Sequence, residues 1–487
     1  MENCFKAAGE ESGHVVMLLN NPCTNDSRVI KSAEALAQDG WKVTVVCRHQ
    51  RSLPRLEVIK GVSYQRLKPL PDVSRVFIKL KEVIFPHSSA RKAIRSRSLE
   101  QFFTVVEITK TRIKSGCPAS FKSVIRTFRH QRRILRNKLR SLASKKNRLG
   151  RMLNFMPRMF HRRHETDEFM SIAFRHVLSL KPDVVHCHDL ATLPAGAAIA
   201  EACRCKLVYD SHELEMHRNA TYPKYVSRMR RRLEKSSIVK TDAVITVSES
   251  IADHLREDYK ISRPYVVMNA PDFDDHLTAK DLREDIGLLN NTPLAVYVGS
   301  VTINRGIDFV IRSLPHNPQL HFATVGPRRT ATQVELHELA IALGVRDRVH
   351  FVDPVPPNDV VGYIRTADVS VLPIQNVCLS YYYCMPNKLL ESVFAGIPVA
   401  VADLLEMRRF VETYQCGVVM DETDPQSIAE AISKIIASRA QYVLSEDKRH
   451  ELTERYSWTT QANRLQDIYD QFKVKAHPKS SLRKVAA

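Results

Sequence analysis

Lys388 and Glu391 stand three residues apart at the head of an apolar stretch, Pro386-Asn-Lys-Leu-Leu-Glu-Ser-Val-Phe-Ala-Gly396. Pro386 suits a first helical turn, where its missing N–H costs little. Residues three apart on a helix share a face, so a cation and an acid project together. A helix start with free N–H groups, one Lys and one Glu is a grip for a nucleoside diphosphate. The N–H groups and Lys388 would meet phosphate oxygens, and Glu391 would accept from ribose hydroxyls. The same pattern also fits an ordinary helix–strand unit with a solvated Lys–Glu pair. Gly396 ends the helix, and Pro398 leads into a short apolar strand, Ile397 to Val401.

The elements that must hold these residues alternate between strand and helix. His14 to Leu19 reads as a first buried strand, followed by the loop Asn20 to Ser27 and a helix Arg28 to Asp39 closed by Gly40. Lys42 to Cys47 is the next strand, an order that implies a parallel sheet with right-handed crossovers. After a basic block the rhythm resumes with strands at 183–188, 206–210, 243–247 and 264–268. Asn269-Ala-Pro-Asp272 is a turn and a domain boundary. A second series of strands follows at 294–298, 321–325, 349–352, 369–372 and 397–401, with helices at 332–343, 425–439 and 459–472. Two doubly wound sheets place ligands at the carboxyl ends of their strands, facing the cleft between domains.

The 487 residues suffice for two domains plus an addition, and 44% hydrophobic with 26% charged residues is an ordinary soluble composition. No uninterrupted apolar run is long enough to span a bilayer, and the polar, acid-bearing stretch Met1 to Gly13 does not read as a secretory signal. The 10 cysteines are scattered and read as reduced cytosolic thiols, neither a disulfide frame nor a metal site. Residues 75–165 carry 25 Lys and Arg against four acids, a net +21 that exceeds the +20 of the whole chain. Within them Val124 to Leu142 has the periodicity of a cationic amphipathic helix. Such a block fits an anionic membrane surface, which is the favoured reading. It fits nucleic acid less well, having few aromatics and no recognised motif. A solvated insertion is the third reading.

Several phrases together resemble the family-4 retaining glycosyltransferases, across most of residues 14–472 outside the basic block. They are Asn25-Asp-Ser-Arg-Val29 before a helix and Gly40, Asp183-Val-Val-His-Cys-His-Asp189, Tyr209-Asp-Ser-His-Glu213, Val247-Ser-Glu-Ser-Ile251, Tyr297-Val-Gly-Ser-Val-Thr-Ile-Asn-Arg-Gly306 and Tyr456-Ser-Trp458. The resemblance implies the α/β GT-B fold: two Rossmann-like, doubly wound domains facing a cleft, with the basic helical insertion 75–165 in the first. The implied domains are an acceptor domain at 14–272 and a nucleotide-sugar domain at 273–455. A helix at 456–472 crosses back to the first domain, and 473–487 is expected to be a disordered tail. The activity implied is transfer of a sugar, with retention, from a UDP- or GDP-linked donor to a glycan or lipid-linked acceptor in envelope polysaccharide or glycolipid synthesis. The expected location is cytoplasmic, peripheral at the inner face of the membrane.

The chain departs from the family pattern at three places. Glu391 fits the second acid of a Glu-x7-Glu motif, but Tyr383 occupies the first. The diphosphate loop has Ser300 where the family commonly has Arg, and Arg305 where it has Lys. The first loop has Asn20-Asn21 in place of Gly-Gly.

Neutralising a leaving diphosphate without a metal falls to Arg305, Lys388 and helix N–H groups; no Asp-x-Asp cluster stands out, so neither a catalytic metal nor another cofactor is expected. A solvated surface residue is the plain alternative for Arg305. By resemblance His188 meets the donor sugar or a developing charge; alternatively it is a buried loop-orienting residue. His186 is expected to face the other side of the sheet, as a structural residue. Asp189 is read first as a cap for the following helix. Glu213 either holds an acceptor hydroxyl or supports His188. Gly299, Ser300, Gly326, Asp353, Tyr383, Pro386 and Asn387 complete the expected donor side, with Gly326 and Asp353 also readable as simple turns. Asn20, Asn21, Arg28, Asp189 and Glu213 form the expected acceptor side. A second functional class stays open, a catalytically altered scaffold that binds membrane or anionic polymer through the basic insertion. Ser300 and Tyr383 are the features that favour it.

Overall fold

The computed structural model describes residues 12–24, 26–68, 169–219, 222–271 and 281–473. The basic block with its expected helix, Asn25, Asp272 and the expected tail beyond Lys473 lie outside these residues. The chain divides into two compact units, residues 1–67 with 171–487, and residues 68–170. All that follows concerns the first unit.

Two sheets organise that unit. In the first, β1 (His14–Leu18), β2 (Lys42–Arg48), β3 (Leu56–Ile59), β4 (Val62–Leu67), β5 (Val184–His188), β6 (Lys206–Ser211), β7 (Ala243–Thr246) and β8 (Tyr265–Val266) lie in the order β3-β4-β2-β1-β5-β6-β7-β8. All pairs are parallel except β3 with β4. In the second, β9 (Leu294–Val298), β10 (His321–Val325), β11 (Val349–Val352), β12 (Val369–Leu372), β13 (Val399–Ala402) and β14 (Gly417–Met420) lie in the order β11-β10-β9-β12-β13-β14, all parallel. Helices cover both faces of a parallel sheet, so its strands are apolar on both sides. Accordingly Val15 to Leu18 and Leu294 to Tyr297 are fully buried.

Each sheet changes direction once. From β1 the chain builds outward through β2 and then returns to β1's other edge at β5; in the second sheet the reversal lies between β9 and β12. Connections leaving such a pair diverge, and the crevice between their carboxyl ends is where open α/β sheets bind ligands. In this chain those ends are Leu18–Asn20 and His188–Asp189 in one sheet, and Val298–Gly299 and Leu372–Pro373 in the other.

Helices fix the loops at those ends. Asp26 caps the helix Ser27–Gln38 by accepting from Val29 N, and Val29, Ala33 and Leu36 bury its inner stripe. Asn387–Phe394 is a helix that buries Leu389, Leu390, Val393 and Phe394. Gly396, at φ +74°, turns the chain towards β13. The helix Trp458–Asp470, capped by Ser457, packs Leu465, Ile468 and Tyr469 into the core of the first sheet. The hairpin β3–β4, the strand β14 and the helices Lys224–Ile238, Glu249–Tyr259, Leu405–Tyr414 and Glu446–Tyr456 are additions to the elements read from the sequence.

Candidate functional site

A cleft cavity of about 300 Å³ joins the two sheets' carboxyl ends. Asp26, Arg28, His212, Glu213 and Asn269 line it from the first sheet's side, and Arg305, Tyr381, Cys384, Pro386 and Asn387 from the second's. A larger cavity of about 620 Å³ sits at the edge strand β11, lined by His337, Arg346, His350 and Asp353 among others. It lacks Arg305 and the helix start Pro386–Asn387, which line the smaller cavity, so the smaller cavity is the candidate site on chemical grounds.

The second sheet supplies two cations, of which Lys388 feels one acid, Glu391, and Arg305 pairs with none among the described residues. Arg305 lies in the loop after β9, stacks over the ring of Tyr381 at 5.1 Å and has no carboxylate partner among the described residues. Gly306 after it has φ +70°, and a Cβ there would meet the Pro373 carbonyl oxygen at 2.1 Å, so only glycine lets this loop lie against the end of β12. Lys388 donates to the Tyr297 hydroxyl at 2.7 Å and sits over the same ring at 4.0 Å. Burial, and then the nearby Arg305, push its ammonium down to about 7, against the pull of Glu391. Burial raises the Glu391 carboxyl in turn, with Lys388 opposing. The helix Asn387–Phe394 has no side-chain cap at Pro386, so its leading N–H groups await an acceptor. A Cβ on Gly299 would meet Lys388 Nζ at 3.1 Å, and one on Gly326 would meet the Gly299 oxygen at 2.4 Å. The two glycines thus lie together beside Lys388. Ser300 is exposed, and its carbonyl accepts from the Tyr297 hydroxyl at 3.1 Å.

The first sheet's side is built oppositely, as a closed ion-pair network. Arg28 is buried and grips Asp210 with two bonds, Nε to Oδ2 at 2.8 Å and an Nη to Oδ1 at 2.6 Å, while donating a third to the Val267 carbonyl. Burial disfavours the Asp210 charge, but Arg28 foremost, then His212, hold the carboxyl well below the usual range. His188 Nδ1 lies 3.1 Å from His212 Nε2, and both are 3.4 Å from Asp210 Oδ2. His188 is buried and pushed down to about 3 by burial and by His186, so it is neutral. Burial also works against charge on His212, but Asp189 and then Asp210 outweigh it and push the imidazole up to about 9. The imidazolium that faces the cleft is therefore His212, with His188 behind it.

Two expectations are corrected here. His186 and His188 share one face of the sheet, stacked at 4.3 Å, because strand side chains repeat every two residues. His186 Nδ1 also meets the Tyr469 hydroxyl at 2.8 Å. Asp189 is not a helix cap: it has φ +61°, and Thr192 takes the N-cap position of the helix Leu193–Cys203. Its carboxylate instead lies 3.7 Å from His212 Nδ1.

The remaining expected residues fall as follows. Glu213 lines the cavity and pairs with Arg218 at 2.7 Å. Asn21 braces the first loop, donating to Asp26 at 3.0 Å and accepting from Cys23 N at 2.7 Å; Asn20 precedes it at the end of β1. Asp353 pairs with Arg328 at 3.0 Å on the larger cavity. Tyr383 turns its ring towards His254, 6.1 Å away, and its carbonyl accepts from Ser248 at 2.7 Å, joining the two sheets' layers. Tyr381, two residues earlier, faces the cavity. Sequence reasoning passed over Tyr381 and left His212 without a role; its signal was the run Asp210-Ser-His-Glu213 directly after a strand.

His186, His188 and Asp210 bring ligand-type atoms within 4.8 Å of one another. Arg28 occupies both oxygens of Asp210, and a guanidinium there opposes a second cation, so the donor set suits an ion-pair network and does not fit a metal. The cysteines among the described residues are free thiols.

Known proteins resemble the chain in both halves. The family model for Glycosyltransferase Family 4 matches residues 124–274, and that for Glycosyl transferases group 1 matches residues 279–457. An uncharacterized glycosyltransferase of Methanocaldococcus jannaschii is 28% identical over 304 residues, 59% of this chain and 75% of its own. A D-inositol 3-phosphate glycosyltransferase of Xylanimonas cellulosilytica is 28% identical over 306 residues, 59% of this chain and 72% of its own. Among solved structures, sucrose-phosphate synthase of Thermosynechococcus elongatus aligns with a TM-score of 0.65 at 16% identity, covering 94% of this chain and 98% of its own. Anabaena HepE, solved with UDP and glucose, aligns at 0.61 and 13% identity, covering 94% and 100%. The fold is that of the GT-B glycosyltransferases, and the chain is a glycosyltransferase of the family 4 and group 1 type.

Proposed function

We propose that this glycosyltransferase moves a sugar from a nucleoside diphosphate donor, UDP- or GDP-linked, to a hydroxyl of a glycan or lipid-linked acceptor. One observation carries the reading. Arg305, Lys388 and the uncapped start of the helix Asn387–Phe394 converge at the second sheet's switch point, and Arg305 has no acid partner among the described residues. Such a group of donors awaits a dianion, and the charge that develops on a departing diphosphate is the natural complement. That HepE was solved with UDP and glucose supports the donor class.

Lys388 gains its proton's full worth only when the phosphate arrives, since burial holds the free amine near half-charged at pH 7. Glu391, one turn along the same helix, is assigned to the ribose hydroxyls in this reading. Opposite them, Glu213 and Asp189 are carboxyls raised by burial, suited to acceptor hydroxyls, with His212 as the fixed cation between. Retention of configuration, a role in envelope polysaccharide or glycolipid synthesis and a peripheral position at the membrane through residues 75–165 belong to the same proposal. They rest on the family resemblance and on the charge of that block. No helix among the described residues is long and apolar enough to cross a membrane.

Calorimetric titration with UDP, GDP and ADP, on the native chain and on Arg305→Ala, tests the donor site. At least one nucleotide should bind the native chain and bind the variant far more weakly. Absence of binding by all three would overturn the reading. The anomeric configuration of the product, read by NMR, tests retention.

A further inference from the structure

The helix Lys224–Ile238 presents a surface that transfer chemistry does not use. Its buried side holds Val226, Glu234, Ser237 and Ile238. Glu234, the helix's one acid, accepts from the hydroxyls of Tyr209 at 2.9 Å and Tyr259 at 2.7 Å, so it offers nothing to solvent. On the open side Lys224, Arg228, Arg232 and Lys235 are exposed and have no acidic partner among the described residues. Their spacing keeps all four within roughly 80° of one another around the helix axis. Apolar groups stand among and beside them: Tyr225 is 61% exposed and Val239, just past the helix, 59%, while Leu233, 42% exposed, lies about 100° further round than Arg232.

Unpaired cations with exposed apolar side chains on one helix face match a lipid surface that offers negative headgroups and an apolar layer beneath. Nucleic acid would meet the cations but would leave Tyr225 and Val239 in water. The chain's own segment 75–165, at net +21, has the same sign as this face and cannot neutralise it. The helix also communicates with the cleft mouth. Arg230 reaches Glu215 at 2.5 Å, and Arg218 bridges Glu215 at 3.1 Å and the cavity residue Glu213 at 2.7 Å.

From these observations we propose that the exposed face of the helix Lys224–Ile238 docks on an anionic lipid bilayer and brings the acceptor side of the cleft to its surface. The inference rests on the reading of a lipid-linked acceptor and adds a membrane contact separate from the basic block.

Vesicle flotation of the full chain tests it, with phosphatidylcholine alone and with phosphatidylcholine mixed with phosphatidylglycerol. The native chain should float with the anionic vesicles and stay behind with the neutral ones. Arg228→Glu/Arg232→Glu/Lys235→Glu should weaken binding at least about tenfold, since each basic residue near an anionic surface contributes several-fold. Tyr225→Ser/Val239→Ser should weaken it less. Thermal stabilisation by UDP should be unchanged in both variants, which shows that they fold. The proposal is overturned if the charge variant, folded by that measure, floats like the native chain. It is equally overturned if the native chain ignores anionic vesicles, or if the substitutions abolish binding to a single-stranded oligonucleotide and leave flotation intact. Flotation as expected without binding of UDP, GDP or ADP would sink the donor reading and leave the lipid surface standing.

Discussion

The two walls of the cleft handle charge in opposite ways. On the first sheet's wall the charges of Arg28, Asp210, His212 and Asp189 are paired before any ligand arrives, and only His188 Nε2 in that group is buried without a hydrogen-bond partner. On the second sheet's wall Arg305 faces an aromatic ring and Lys388 a phenol, and the pull of Glu391 on Lys388 does not outweigh its burial. A closed network gives shape and a fixed field. An open one keeps its Coulomb energy for the ligand, and weakened charge at Lys388 is the cost of waiting. The contrast assigns rigidity and positioning to one wall and anion capture to the other.

The largest effect should come from opening the closed wall. Arg28→Met leaves Asp210 buried with its main partner gone, and breaking one side of such a pair costs about 3–5 kcal/mol. Urea unfolding should show that loss; an unchanged midpoint would mean the network does not hold the wall. Next is the open wall. Arg305→Ala should lower kcat/KM by about 10²–10³ through lost charge stabilisation, with the unfolding midpoint almost unmoved because nothing acidic depends on that guanidinium. A stability loss to match the activity loss would erase the distinction between the walls.

A smaller effect separates the walls by pH. Lys388 sits near 7 in the free protein, so above that pH a diphosphate must bring a proton with it. UDP affinity should fall as pH rises above 7, by up to about tenfold per unit, and Lys388→Arg should flatten the profile. His212 should act through stability, with the same sign but a window that extends up to about 9. Its folded value of about 9 lies above the ordinary 6.5, so its contribution is whole below 6.5 and is lost as pH rises through 9. The stability difference between the native chain and His212→Gln should therefore shrink across that window. A constant difference would show that Asp189 and Asp210 do not hold it charged.

The open wall was largely legible in the sequence, and the closed wall was not. Arg305, Pro386, Asn387 and Lys388 sit in short local phrases whose glycines and prolines announce a turn and a helix start. The apolar runs of the parallel strands were equally plain, since burial on both faces removes polar alternation. The hairpin at Leu56–Leu67 was missed because Leu56 and Val58 are exposed and its edge strand carries no such run. Helix Lys224–Ile238 was missed because its open face is dominated by cations. Arg28 and Asp210 are 182 residues apart, and nothing local marks either as the other's partner. The parity of His186 and His188 was available from strand periodicity alone. The exchange of His188 for His212 at the cleft needed the three-dimensional stack.

Tyr469 gives the closed wall a place in time. Its hydroxyl meets His186 across 283 residues of chain, from a helix synthesised long after β5. At about 5–20 residues per second the first sheet waits roughly 15–60 s on the ribosome without that helix in its core. Through this interval His186 lacks its hydroxyl and the groove for Leu465 and Ile468 lies open. The histidine stack behind the cleft is therefore finished by the last helix among the described residues, and the order of synthesis makes this wall a late one to be completed.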